Sequence, residues 1–335
     1  MGGNDFWSDY ARIFEKKQLE TADYKKLLSI LAVSVIVVTL MVQAALFVFA
    51  AMLPVFLESG NIATDRRDFA YFFMWLANDI IVYTPPLLVF GFIFRSRLKR
   101  PEPVVNYVFK NSWVLPFFLA GIAIATGSSI FTSIIADLIS GGEDVLQDVF
   151  RDVLPRNDAQ LLIMLFTVGI ITPICEETIY RHILLKPLRR YGDLQAVIIT
   201  SILFGFFHGN LTQFLYATMV GFILGVAAVK ANSVIPAIFI HTLNNVFVVF
   251  NSHLAMLSES GETAISEAAL GALNIAVLAM GVAALAIMAA KNILTIQNYN
   301  PYISPGERVQ ILMRRPSVIT MAVLLIIFTI LGSLV

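Results

Sequence analysis

Residues 173–193 read Pro-Ile-Cys-Glu-Glu-Thr-Ile-Tyr-Arg-His-Ile-Leu-Leu-Lys-Pro-Leu-Arg-Arg-Tyr-Gly-Asp, and they continue an uncharged apolar run that begins at Ala159. Two adjacent carboxylates, Glu176 and Glu177, therefore stand at the end of a segment that reads as membrane-embedded. An ionisable side chain inside a bilayer costs about 2.5–3.5 kcal/mol on insertion scales, so such a residue is a functional candidate by default. Arg181 lies four residues after Glu177, on the same helical face, where an ion pair can hold one carboxylate charged. The helical period turns Glu176 about 100° away from Glu177. One acid can be tethered while its neighbour stays free to take up a proton.

The rest of the chain supports the membrane reading. Of 335 residues, 58% are hydrophobic and only 14% charged, a balance that excludes a soluble protein. Several uncharged runs of roughly 17–25 residues can each cross a ~30 Å hydrocarbon core as a helix. Period-2 alternation is absent, which argues against a transmembrane barrel. The single cysteine, Cys175, excludes an internal disulfide and a cysteine-rich metal site. Its place beside Glu176 invites a nucleophile reading, but a lone cysteine in a membrane helix is more often inert packing. The first 26 residues are polar and charged, and no cleavable signal is expected there.

These runs predict an all-α, multi-pass transmembrane bundle of nine spans, or eight, at about 27–57, 69–94, 113–139, 159–175, 194–208, 212–229, 235–250, 267–290 and 317–335. With a cytoplasmic amino terminus, only Arg66, Arg67, Arg151 and Arg156 of the 23 basic residues fall on the outer side, as the positive-inside rule requires. The expected organisation is a cytoplasmic tail at 1–26, accessory spans plus an interfacial helix at 27–158, a core around the Glu-Glu stretch at 159–250 and carboxy-terminal spans at 251–335. Between the third and fourth spans, residues 141–158 predict an interfacial helix. Its apolar side holds Val145, Leu146, Val149, Phe150, Val153 and Leu154, and its acidic side Asp144, Asp148 and Asp152. Gly221 and Gly225 form a small-xxx-small face suited to close helix packing.

Four histidines complete the polar inventory. His182 at a cytoplasmic end and His253 in an outer loop read as bystanders. His208 closes Phe204-Gly-Phe-Phe-His, and His241 opens His-Thr-Leu-Asn-Asn, with Asn245 one turn on and on the same face. Glu176 lies 16 residues before Gly192 and His208 16 after it. In an antiparallel pair both therefore sit about 24 Å from the turn at ~1.5 Å per residue. His241 follows its own turn by only about nine residues, and equal, straight helices do not bring it to that depth. A carboxylate level with a neutral imidazole can deprotonate a water, or bind a divalent metal that does so. His241 and Asn245 could donate to a developing oxyanion. No Ser-His-Asp set and no His-Glu-x-x-His motif is present, which excludes a serine protease and a thermolysin-like zinc protease.

Glu-Glu-x-x-x-Arg at 176–181, Phe-x-x-x-His at 204–208 and His-x-x-x-Asn at 241–245 resemble, in order and in placement, the three motifs of the CAAX-protease and bacteriocin-processing (CPBP, or Abi) family of intramembrane proteases. Each motif alone is weak; three in order within membrane helices are strong. The resemblance covers about residues 159–250 and implies a function as an intramembrane endopeptidase. Under it Glu176 is the general base, His208 shares its water or metal, Glu177 supports the site through Arg181, and His241 and Asn245 stabilise the oxyanion. Glu176, His208 and His241 suffice to bind one zinc ion, and the resemblance leaves the metal requirement open. The implied partners are a peptide or protein substrate, membrane-anchored or lipidated, and the lipid bilayer, with no nucleic acid. Two alternatives stand beside the protease: a non-catalytic scaffold or bacteriocin-immunity regulator of the same family, and an ion-coupled transporter using Asp79 next to Pro85-Pro86.

Overall fold

A computed structural model of the chain describes residues 3–58, 67–99, 107–140, 155–261, 263 and 265–333. It is 86% helical, and no strand occurs among the described residues. Among the described residues twelve α-helices follow in order: α1 Gly3–Glu58, α2 Arg67–Leu98, α3 Val114–Ser140, α4 Asp158–Phe166, α5 Thr172–Glu177, α6 Leu185–Arg189, α7 Asp193–Phe207, α8 Leu211–Ala231, α9 Ile235–Glu259, α10 Glu267–Ala290, α11 Pro305–Arg314 and α12 Pro316–Gly332. The multi-pass bundle expected from the sequence is what forms. Large apolar side chains such as Phe47, Leu88, Phe92 and Ile275 point outward, 65% or more exposed, which suits a lipid surround and not water.

The span count needs one adjustment. Among the described residues seven helices are long and apolar enough to cross, or eight if α11 and α12, bent by 68° at their junction, form one span. The expected fifth span is α7, a shorter apolar helix of 15 residues. At ~1.5 Å per residue it reaches about 22 Å and does not cross alone. One other expectation shifts as well. Helix α9 continues to Glu259, so His253 is a buried helical residue facing the Pro155 carbonyl at 3.0 Å and not a loop histidine. The polar amino-terminal segment runs into the first span as one unbroken helix. The interfacial helix expected at 141–158 lies outside the described residues as far as Leu154.

Helices α4 to α6 form one continuous rod whose hydrogen bonding widens twice, to π-helix at Thr167–Ile171 and again at Thr178–Leu184. Each widening stands just ahead of a proline, Pro173 in α5 and Pro187 in α6. A proline cannot donate to the carbonyl four residues back and crowds it, and an i→i+5 register is one way for the helix to absorb that conflict. Asn157 caps the rod, its side chain accepting from the Gln160 N–H at 2.8 Å.

Helix α8 lies along α7, with α3 on its other flank and α10 beyond α3. Lipid tails are as apolar as leucine, so association here depends on close packing more than on the hydrophobic effect. Gly225 shows this: a Cβ there would meet a Val197 methyl at 2.8 Å.

At one end of the bundle the polar residues knit together. Arg97 pairs with Asp23 at 2.8 Å, and Tyr191 donates to the same carboxylate at 2.8 Å. Arg190 pairs with Glu20, Lys17 meets Glu307 at 2.6 Å, and Arg189 holds Asp193 at 2.8 Å. Tyr107 also donates to Asp193, at 3.0 Å; burial pushes its phenol up to about 12, so it remains a neutral donor. Four basic residues, Lys17, Arg97, Arg189 and Arg190, are thus held in ion pairs there.

If the α7–α8 contact carries the packing, Gly225→Leu should lower the unfolding midpoint in detergent, since overpacking costs about 1–3 kcal/mol. Gly271→Leu, at a position with open space, should leave that midpoint nearly unchanged.

Candidate active site

Helix α5 is only six residues long and lies between the two π segments, and it carries both acids. Glu177 is fully buried, and Arg181, 4% exposed, approaches it with Nε 3.1 Å from Oε2. That contact is an ion pair whose N–H is not aimed along the line of a hydrogen bond. Another guanidinium nitrogen, Nη2, donates to the Gly221 carbonyl of α8 at 3.0 Å, and the group lies over the Phe204 ring at 4.9 Å. Arg181 is thus fixed from three directions, and it fixes Glu177.

The second oxygen of Glu177 meets His241 Nδ1 at 3.0 Å. The other ring nitrogen, Nε2, stands 3.6 Å from Glu176 Oε2. His241 therefore bridges the two acids, and Arg181, Glu177, His241 and Glu176 form one chain of charged and ionisable groups. Residue counting from the turns did not predict this, because it assumed straight α-helices of equal tilt. A π turn holds more residues per turn than an α turn, so a position count along the 158–189 rod overstates axial distance.

Glu176 Oε1 accepts from the Tyr83 hydroxyl of α2 at 3.0 Å. Its carboxylate opens on a cavity of about 460 Å³, a size suited to a small ligand or a stretch of peptide. His208 lines the same cavity. It follows the last turn of α7, which Gly209 ends in the left-handed conformation at φ +74°. Its Nδ1 lies 2.8 Å from the Phe204 carbonyl. A carbonyl only accepts, so Nδ1 carries the hydrogen and neutral His208 keeps its lone pair on Nε2. Asn245 is one turn beyond His241, and its Nδ2 donates to the Val168 carbonyl in the first π segment at 2.8 Å. An amide nitrogen has two hydrogens, so one remains.

The structure therefore brings Glu176, Glu177, Arg181 and His241 into direct contact and places His208 on the cavity that Glu176 faces. Asn245 stands one helical turn from His241, against a residue that also lines the cavity. His182 is exposed, and Cys175 is a half-buried free thiol. Sequence reasoning missed Tyr83, and it raised Asp79 only under the transporter alternative. Both line the cavity beside Glu176. The available signal was an acid and a phenol spaced i, i+4 in an apolar span, just ahead of two prolines that leave the Ile81 and Val82 carbonyls without helical donors.

Zinc needs several donors at ~2.0–2.2 Å from one point. His208 has the carbonyl contact typical of metal-binding histidines. Among the described residues, however, no three His, Cys, Asp or Glu groups converge closely enough to hold an ion. The set Glu176, His208 and His241 is not assembled in this arrangement, which does not fit a zinc ion.

Residues 158–247, which contain all three motifs and α4 through most of α9, match the family model of the type II CAAX prenyl endopeptidases, Rce1-like. The chain is also 24% identical over 165 residues to MroQ, a membrane-embedded CAAX protease of Staphylococcus aureus (strain USA300), a match covering 47% of this chain and 66% of that protein. YdiL, a candidate membrane peptidase of Bacillus subtilis (strain 168), is 32% identical over 88 residues, 26% of this chain and 36% of that one. Both matches span less than two thirds of the relative's length. No solved structure matches the chain. These likenesses agree with the CAAX-protease resemblance carried by the three motifs.

If Arg181 neutralises Glu177, Arg181→Ala should destabilise the protein by about 3–5 kcal/mol, because it leaves a buried charge without its counter-ion. The double variant Arg181→Ala, Glu177→Gln should recover much of that loss in chemical unfolding in detergent.

Proposed function

We propose that the chain is an intramembrane endopeptidase that hydrolyses a peptide bond with Glu176 as the general base. The observation that carries this reading is that Glu176 is held from two sides, by Tyr83 at one oxygen and His241 near the other, while it opens on a cavity shared with His208. A base must be fixed within reach of the proton it takes, and geometry comes before acidity in assigning it. The matched segment 158–247 and the likeness to MroQ support the same class.

Glu176 takes a proton from a water in the cavity as that oxygen attacks the substrate carbonyl. His208 Nε2, a lone-pair acceptor, aligns the water's other hydrogen. The remaining Asn245 amide hydrogen serves the oxyanion, where one lost donor typically costs 10²–10³-fold in other hydrolases, about 2.7–4 kcal/mol. Glu177 and Arg181 hold the His241 ring, and His241 keeps Glu176 in register. No step is routed through a metal. The substrate is a peptide or protein segment reached from the membrane, lipidated or otherwise membrane-anchored, and the amino terminus is cytoplasmic.

Membranes containing the wild-type chain and membranes containing Glu176→Gln should differ by at least one peptide that stays uncut. Cleavage of that peptide by the purified variant should fall about 10²–10⁴-fold, the usual worth of a general base. Wild-type rates in Glu176→Gln would end this reading. Cleavage should persist under a zinc chelator. A loss that added zinc restores would instead assign the metal set to Glu176, His208 and His241.

A further inference from the structure

Asp79 has no role in the mechanism so far, yet it is 5% exposed, lines the cavity and sits one helical turn before Tyr83, which grips Glu176. Its Oδ2 is buried with no hydrogen-bond partner. Lysine and arginine are absent from the described residues lining the cavity, so no fixed cation there offsets a second negative charge beside Glu176. Two carboxyl groups sharing one enclosed site ionise unequally, and the one with fewer donors keeps its proton. Glu176 has the Tyr83 hydroxyl and the His241 ring; Asp79 has one oxygen, Oδ2, enclosed without a donor.

We infer that Asp79 is the general acid of the reaction, giving its proton to the leaving nitrogen while Glu176 takes one from water, with Tyr83 as the positioning residue that holds the base beside the acid. The inference rests on the proteolytic reading above and extends it to a helix outside the matched segment. The step balances. The water oxygen bonds to the carbonyl carbon, and Glu176 receives the first proton. The C–N bond then breaks as Asp79 protonates the nitrogen, releasing an amine and a carboxylic acid. Glu176 afterwards returns its proton to solvent and Asp79 takes one back, so the enzyme ends as it began.

An acid that serves the leaving group is needed for an amide, whose amine cannot depart as an anion, and far less for an ester. The test uses the peptide that stays uncut in Glu176→Gln membranes, synthesised once with its scissile amide and once with an ester at the same bond. In Asp79→Asn, amide cleavage should fall about 10²–10⁴-fold while ester cleavage falls less than about tenfold, in keeping with the usual worth of proton donation. Asp79→Glu, which restores an acid, should recover part of the amide rate. Tyr83→Phe should lower amide and ester cleavage together, because it loosens the base that both need.

Equal losses on amide and ester in Asp79→Asn, or an undiminished amide rate, would overturn the assignment of Asp79 and leave the role of Glu176 intact. If Asp79→Asn does not fold, Asp79→Ser takes its place: an amide loss at least about tenfold larger than the ester loss supports the assignment, and equal losses or an undiminished amide rate overturn it. If Glu176→Gln leaves both substrates cleaved at wild-type rates, the proteolytic reading itself fails, and this inference falls with it.

Discussion

The site depends on how a negative charge is kept inside an apolar bundle. Glu177 is fully enclosed, and a carboxylate there is tolerable only because Arg181 lies against it and His241 meets its other oxygen. That arrangement dictates much else. Arg181 needs acceptors of its own, which is why α8 comes close enough for the Gly221 carbonyl to take a hydrogen bond. His241 must present one nitrogen to each glutamate, which sets the angle of α9 against the rod. The buried ion pair is thus the frame on which the free acid is mounted.

The helices supply that frame by departing from regularity at chosen places. Two π segments flank the six residues of α5, each just ahead of a proline, and the wider turns change both the axial position and the facing of the acids. His208 is available because α7 ends early, at a glycine in a left-handed conformation, and its ring folds back on the carbonyl that the helix end leaves free. Most of the remaining surface is apolar and asks only to be surrounded by lipid. Precision is concentrated in the stretch that interrupts the apolar pattern.

How much of this was legible in the sequence follows from the same physics. Long apolar runs name membrane helices, and their count was right to within the short α7 and the bent α11–α12 pair. The pairing of Glu177 with Arg181 is local, four residues along one helix, and the spacing alone predicts it. Contacts between helices are another matter. His241 seemed too shallow, because a count along the chain cannot see a π turn or a tilt. Tyr83 carried no motif, and Asp79 suited an ion path as readily as a catalytic pocket. Asn245 was expected to serve an oxyanion, and the spacing did not show that one of its two amide hydrogens is engaged by the Val168 carbonyl. What the sequence withheld was which elements meet, and the motif residues alone do not determine that.

The hydroxyl that steadies Glu176 comes from α2, some 93 residues upstream in the chain and outside the stretch 158–247 that resembles the peptidase family. The motif-bearing segment is therefore not self-sufficient. Excised and expressed by itself it would retain every signature residue, yet Glu176 would have lost one of its two supports and the pocket one of its walls. A search that scores only the signatures would accept such a fragment as intact, although its base would be held from one side only.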